Sequence, residues 1–267
     1  MYSKKKLPFP LWWLLLAIIP VIAIIALLVL LSGSSEPVIE PETTAETLAA
    51  NEYAPEAFYR EGEFLRYTNG AHLLGIDVSA HQGVIDWQSV AASGIDFAIL
   101  RIGYRGTTVG ELYEDEQFRY NLEEAQKHGL KVGAYFFSQA LNSEEALEEA
   151  EYACRLLDGY DLQLPVYFDW EYVDGRIPSM DAVPITDCAV TFCEKIRSQG
   201  YQPGVYFNLE LGYNHLDLMR LQAYQLWLAE YNEVPTFDYR FDALQFTDNG
   251  HISGIETPVD LDILFVG

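Results

Sequence analysis

From residue 71 onward the chain alternates short apolar runs with segments of helical periodicity, the pattern of parallel strands joined by crossover helices. The first run is "LLGIDVS" (Leu73 to Ser79) and the second "DFAILRIGY" (Asp96 to Tyr104). Between them "DWQSVAASG" has the length of a short helix closed by Gly94. A helical pattern from Glu114 to His128 stops at Gly129, as a helix does at a C-terminal glycine. "KVGAYFFS" (Lys131 to Ser138) is the third strand, and Ser143 with Glu144 and Glu145 opens the next helix with an acidic first turn. The fourth run, "LPVYFDWEYV" (Leu164 to Val173), is followed by a helix over 185–199 and then "PGVYFNL" (Pro203 to Leu209). "YQLWLAEY", "FDALQFT" and "VDLDILFV" complete the series with little helix between them. Eight strands in one domain predict an α/β fold, an irregular β/α barrel with regular helices only in its first half. The alternative, a doubly wound open sheet, lacks the glycine-rich phosphate loop such folds often carry.

The N-terminal hydropathy pattern is different. Leu11 to Leu31 reads "LWWLLLAIIPVIAIIALLVLL", an uncharged run long enough, at about 1.5 Å per helical residue, to cross a hydrocarbon core of roughly 30 Å. Lys4, Lys5 and Lys6 precede it, and no Lys or Arg follows until Arg60. The positive-inside rule puts residues 1–10 in the cytoplasm and everything after residue 32 outside the membrane. The rival reading is a cleaved signal peptide, but the run is longer than a signal peptide's apolar region and "LLSGSSEP" is a weak cleavage match. Pro20 is tolerated within a membrane helix. Residues 32–60 begin "SGSSEPVIEPETTAETLAANEYAPEA", rich in Ser, Thr, Pro and Glu. This composition predicts a flexible stalk, with the folded domain over 61–267.

Composition narrows the partners. The formal charge of −24 argues against nucleic acid, which needs a Lys/Arg footprint, and against an anionic lipid surface; the lipid bilayer is met only through residues 11–31. Acidity of this degree serves solubility. Three cysteines, Cys154, Cys188 and Cys193, have no metal-ligand spacing and read as small buried apolar residues, with a bridge from Cys154 to either of the others as the alternative. No cofactor or metal is expected, and the pattern specifies no oligomeric state.

The fourth strand carries the candidate chemistry. Asp169 and Glu171 stand two apart in an otherwise apolar run, so they share a face. In a barrel, functional groups gather at strand ends, where Asp77 and the pair Asp260 and Asp262 also fall. Acids converging on one barrel mouth repel, so some must be held by hydrogen bonds and at least one pushed toward its protonated form. A neutral carboxylic acid beside an ionised one is the apparatus of glycosidic bond cleavage. A solvated strand end is the plainer reading for each acid alone. Tyr135, Phe137, Tyr167, Trp170, Tyr172, Tyr206, Trp227 and Tyr231 surround these acids; singly they suit a core, together a sugar cleft. Strand alternation puts Tyr167 on the face of Asp169 and Glu171, and Trp170 and Tyr172 on the other.

"GIDVSAHQGVIDWQSVAASGIDFAILRIGY", "KVGAYFFS", "LPVYFDWE", "GVYFN", "LWLAEY", "ALQFT" and "VDLDILF" together resemble, in order, the successive motifs of the glycoside hydrolase family 25 lysozymes, over about residues 73–266. The resemblance implies an eight-stranded barrel with fewer helices than strands. It also implies hydrolysis of the β-1,4 bond between N-acetylmuramic acid and N-acetylglucosamine in peptidoglycan glycan strands. By motif position it implies Glu171 as general acid and Asp169 as the partner that orients or stabilises the substrate N-acetyl group or the transition state. Asp77 and Asp260 match the other two acids of the family site, and Tyr135, Tyr206, Trp227, Tyr231 and Gln245 match residues lining its cleft. Asp262 stands where the family commonly has Asn. "FDWEY" also resembles the end of the family 18 chitinase motif, but the two earlier acids of that motif would fall at Leu164 and Tyr167. The expectation is therefore a membrane-tethered muramidase, single-pass, with its catalytic domain outside the membrane; a wall-binding module that lost turnover is the alternative. Spacing alone leaves retaining, inverting and substrate-assisted stereochemistry open.

Overall fold

The computed structural model describes residues 47–266. The expected cytoplasmic tail (1–10), membrane span (11–31) and first part of the stalk (32–46) lie outside the described residues. Among the described residues, no helix is long and apolar enough to cross a membrane.

The remainder of the expected stalk is not a free linker. Ala50 forms a bridge with Tyr239, and β1 (Phe58–Glu61) and β2 (Phe64–Tyr67) form an antiparallel hairpin. Tyr53 stacks on Phe265 with ring centroids 3.9 Å apart, and Phe58 and Tyr67 pack around the same ring. The folded body thus starts before residue 61. Apolar groups that look isolated in a polar stretch find their partners near the far end of the chain, which local composition cannot reveal.

The barrel follows. Its first strands are β3 (Ala71–Val78) and β4 (Phe97–Arg105), joined by α1 (Trp87–Ala92). The short β5 (Leu112–Glu114) doubles back antiparallel to β4, and α2 (Phe118–Lys127) leads into β6 (Lys131–Ser138). Then come α3 (Ser143–Leu157), β7 (Val166–Trp170), α4 (Ile185–Ser198) and β8 (Pro203–Asn208). The short α5 (Leu209–Asn214) and α6 (Leu218–Leu221) precede β9 (Gln225–Ala229), and β10 (Ala243–Gly250) and β11 (Val259–Val266) close the series. The ring runs β3, β4, β6, β7, β8, β9, β10, β11 and back to β3, with β11 antiparallel to both neighbours and the other pairs parallel. The eight expected strands are all present. The helix expected over 114–128 starts later, because Leu112–Glu114 pairs with β4 and the Asp115 carboxylate accepts the Gln117 N–H at 2.9 Å. At α3, Asn142 Oδ1 accepts the Glu145 N–H at 3.0 Å and caps the helix.

Alternation along each strand divides the packing into two layers. On β7, Phe168 meets Phe192 of α4 at 5.3 Å between centroids, and Trp170 Nε1 donates to the Ala140 carbonyl, so Trp170 faces the helices as expected. Tyr167 and Asp169 point into the barrel, where Phe97, Ile99, Tyr167, Trp227, Ala243 and Leu264 form a second, inner core. Glycine makes room for these rings: a Cβ at Gly75 would collide with Phe97, and one at Gly204 with Tyr167. All three cysteines are free, and Cys188 and Cys193 are buried; no bridge from Cys154 forms.

Candidate active site

The inner faces of the strands deliver polar groups to one mouth of the barrel. β3 contributes Asp77, β6 Tyr135, β8 Tyr206, β9 Trp227 and β10 Gln245; β7 supplies Asp169 and, just past its end, Glu171. Because β11 runs against the others, its beginning lies at this mouth, and Asp260 there pairs in register with Asp77. Tyr231 follows β9. These nine residues line a single cleft of about 260 Å³. Tyr167 does not line it: it is 1% exposed and packs tilted against Trp227 in the inner core, 5.1 Å between centroids with the ring planes at 59°. Alternation assigned its face correctly but carries no information on depth, and one layer below Asp169 that face is core. The cleft continues beyond Glu171, Tyr206 and Tyr231 into a second hollow of about 460 Å³ lined by Asn208, Glu210, Glu230 and Asn232.

Hydrogen bonds fix part of the acid cluster. Gln245 Nε2 donates to Asp77 Oδ2 at 2.7 Å, and Gln245 Oε1 accepts from the hydroxyls of Tyr206 (3.0 Å) and Tyr231 (2.7 Å). One amide thus orients a carboxylate and two phenols. Trp227 Nε1 donates to Asp262 Oδ1 at 2.9 Å. Asp169 Oδ1 is buried without a hydrogen-bond partner among the described residues.

Electrostatics push the acids toward their neutral forms. Burial raises Asp77 well above the usual carboxylate range, and the charges of Asp260 and Asp262 add to it. For Asp169, burial and then Glu171 push upward while Arg101 opposes. Burial raises Glu171, and burial with Asp248 and Glu171 raises Asp260 to about 6. Burial likewise raises the phenols of Tyr135 and Tyr206, of which Tyr206 donates to Gln245. Burial and mutual repulsion thus act on the crowded acids in the upward direction. Such a cluster can deliver a proton from one carboxyl to a leaving oxygen while a neighbour carries negative charge beneath a developing cation.

Two contributors escaped sequence reasoning. Among the described residues, Arg101 of β4 is the one Lys or Arg lining the cleft. Its Nε donates to Asp115 Oδ2 at 2.8 Å, and that oxygen also accepts the Ala80 N–H, pinning the turn after β3. An arginine inside the apolar run "FAILRIGY" was the available signal. No cation is near Asp169 in sequence; this one comes from a strand two places away in the ring. Gln139 is the other. Glu171 lies past the last β6–β7 ladder pair, Ser138 with Trp170, and its carbonyl instead accepts Gln139 Nε2 at 2.8 Å. The Gln139 carbonyl accepts Arg176 Nη1 at 2.9 Å, and Arg176 grips Glu145 of α3 with two further bonds of 2.7 and 2.6 Å.

Comparison with known proteins gives a consistent picture. Residues 76–255 match the sequence model of Glycosyl hydrolases family 25. The chain is 27% identical over 191 residues to the autolytic lysozyme of Clostridium acetobutylicum, covering 71% of this chain and 55% of that protein. It superposes with a TM-score of 0.63 and 26% identity on the modular autolysin LytC of Streptococcus pneumoniae, solved in complex with a synthetic peptidoglycan ligand, covering 72% of this chain and 46% of LytC. A family 25 glycosyl hydrolase from Bacillus anthracis shares the fold with a TM-score of 0.61 at 23% identity, covering 73% of this chain and 89% of that one. This chain therefore spans about half the length of the first two relatives.

Proposed function

The chain belongs to glycosyl hydrolase family 25, and from that premise we propose that it is a muramidase. It would hydrolyse the β-1,4 bond between N-acetylmuramic acid and N-acetylglucosamine in peptidoglycan. The observation that carries this reading is the placement of Glu171, raised toward its neutral form by burial, beside Asp169 at the junction of two hollows. A polymer laid through both hollows would present a glycosidic oxygen to that junction. Glu171 gives its proton to the leaving oxygen. Asp169, with Arg101 favouring its ionised form, orients the N-acetyl group or offsets the oxocarbenium charge. Asp77 and Asp260 complete the acid set, while Tyr135, Tyr206, Tyr231 and Gln245 contact the saccharide over the floor made by Trp227. The relatives named as lysozymes and the LytC complex with a peptidoglycan ligand support the same substrate.

The tether belongs to the same reading. An uncharged run over 11–31 after three lysines suits an anchor with its N-terminus in the cytoplasm. Residues 49–53 meet the barrel at Asp238, Arg240 and Phe241, before the start of β10 and at the end remote from the cleft.

Digestion of purified peptidoglycan by the chain, with borohydride reduction and mass spectrometry of the products, tests the bond assignment. Reduced N-acetylmuramic acid ends are expected. Reduced N-acetylglucosamine ends, or wall binding without any product, would overturn it, the latter in favour of a binding module.

A further inference from the structure

The second hollow, beyond Glu171, is lined by two asparagine amides whose hydrogen-bonding sense the fold fixes. Asn208 ends β8 and caps α5, its Oδ1 accepting the Leu211 N–H at 3.0 Å. A backbone N–H can only donate, so oxygen is the end engaged and Nδ2 is left over. Asn232, in the loop after β9, is committed the opposite way. Its Nδ2 donates at 2.7 Å to Oε1 of Glu230, an oxygen that also accepts the Thr236 N–H at 2.8 Å and the Thr236 hydroxyl at 2.7 Å. That leaves Oδ1. Neither Asn208 Nδ2 nor Asn232 Oδ1 has a hydrogen-bond partner among the described residues.

Each bond has a plain structural purpose, a helix cap in one case and a loop anchor in the other. Their joint effect is chemical. An unconstrained asparagine can turn either end of its amide to a guest, whereas these two cannot, so the hollow offers one donor and one acceptor of fixed sense. A secondary amide needs such a pair, because its planar trans geometry puts C=O and N–H on opposite edges. We propose that Asn208 and Asn232 recognise the acetamido group of the sugar in the second hollow, Asn208 Nδ2 donating to its carbonyl and Asn232 Oδ1 accepting its N–H. The identity of that sugar rests on the muramidase reading. With N-acetylmuramic acid over Asp169, the sugar beyond Glu171 is the departing N-acetylglucosamine. The acids of the hollow have other partners than a sugar amine. Glu230 is 4% exposed and engaged by Asn232, Thr236 and Phe237, and Glu210 lies 3.5 Å from His215 Nε2.

Peptidoglycan de-N-acetylated at its N-acetylglucosamine residues, compared with untreated peptidoglycan, tests the assignment. Sedimentation with Glu171→Gln, in high salt to suppress charge effects, should show binding about tenfold weaker to the de-N-acetylated wall, the loss expected for two neutral hydrogen bonds. Asn208→Asp keeps the oxygen that caps α5 and turns the free donor into an acceptor. Added to E171Q, it should preserve the melting temperature and cut the preference to below about threefold. Asn232→Ala removes the acceptor without adding charge, leaves Glu230 its bonds from Thr236 and Phe237, and should cut the preference likewise. Should one variant fail to fold, the other decides. This arm needs no cleavage: acetyl-dependent binding, with no muropeptides released by the parent, would fault the muramidase reading and leave the acetamido assignment standing. The proposal is overturned if E171Q binds both walls alike or favours the de-N-acetylated one. It is equally overturned if the folded variants keep the full preference.

Discussion

Glu171 sits beyond the ladder that holds β7, so its position should depend on the clamp formed by Gln139 and Arg176. Arg176→Ala removes three hydrogen bonds: one to the Gln139 carbonyl and a two-pronged grip on Glu145. The ion pair is largely but not fully enclosed, with side-chain exposures of 15% and 21%. Although burial pushes Glu145 upward, the bonds from Arg176 and the Leu141 N–H hold it below its usual range. Breaking a fully buried pair costs 3–5 kcal/mol, so a value of about 2–3 kcal/mol is expected for this partly wet one. The catalytic effect is separate. With the Gln139 carbonyl released, the Gln139 side chain and the Glu171 backbone it supports are free to shift, and a displacement of about 1 Å can reduce kcat by about 10²-fold. Urea unfolding gives the first quantity and initial rates on purified wall the second, with KM near its original value. Arg176→Lys keeps the charge but not the planar fork, and should fall between. A variant destabilised by 2–3 kcal/mol that keeps full kcat would refute the link between clamp and acid.

Stability should also respond to pH through Glu149. It pairs with Arg105 Nε at 2.7 Å, yet burial dominates and raises it to about 7 from an unfolded value of 4.5. The folded state therefore holds this proton more tightly, and the associated stability is complete below pH 4.5 and lost as the pH rises to about 7. Melting temperature should decline across that window and the decline should flatten in Glu149→Gln; an equal decline in both would contradict the assignment. Gly204→Ala forces a methyl against the Tyr167 ring and should cost about 1–3 kcal/mol by overpacking, seen as a lower urea midpoint with an unchanged slope. An unchanged midpoint would mean the inner core is looser than its contacts indicate.

Much of this architecture is legible in the chain. Strands buried on both faces read as apolar runs, and all eight barrel strands were visible for that reason. The hairpin of β1 and β2 was not, because Phe265, on which its Phe58 and Tyr67 rings pack, is far away in sequence. Within the site, alternation placed Asp169 inward and Trp170 outward, but it could not separate Tyr167, packed in the inner core, from Asp169 at the cleft. Arg101 and Gln139 went unnoticed because their importance lies in what neighbouring strands bring to them. Asp262 shows the same limit: its spacing from Asp260 marks it as inward, and only the Trp227 indole of β9, which donates to its Oδ1, gives it a buried partner.

The central claim is that Glu171 donates the proton that breaks the glycan. Glu171→Gln, compared with the parent chain on purified peptidoglycan, tests it most directly. Sedimentation would measure binding to the wall, and mass spectrometry of reduced products would measure cleavage. The account predicts unchanged wall binding and melting temperature, with reduced N-acetylmuramic acid ends present for the parent and absent for E171Q. Release of the same muropeptides by folded E171Q at the parent rate would contradict it.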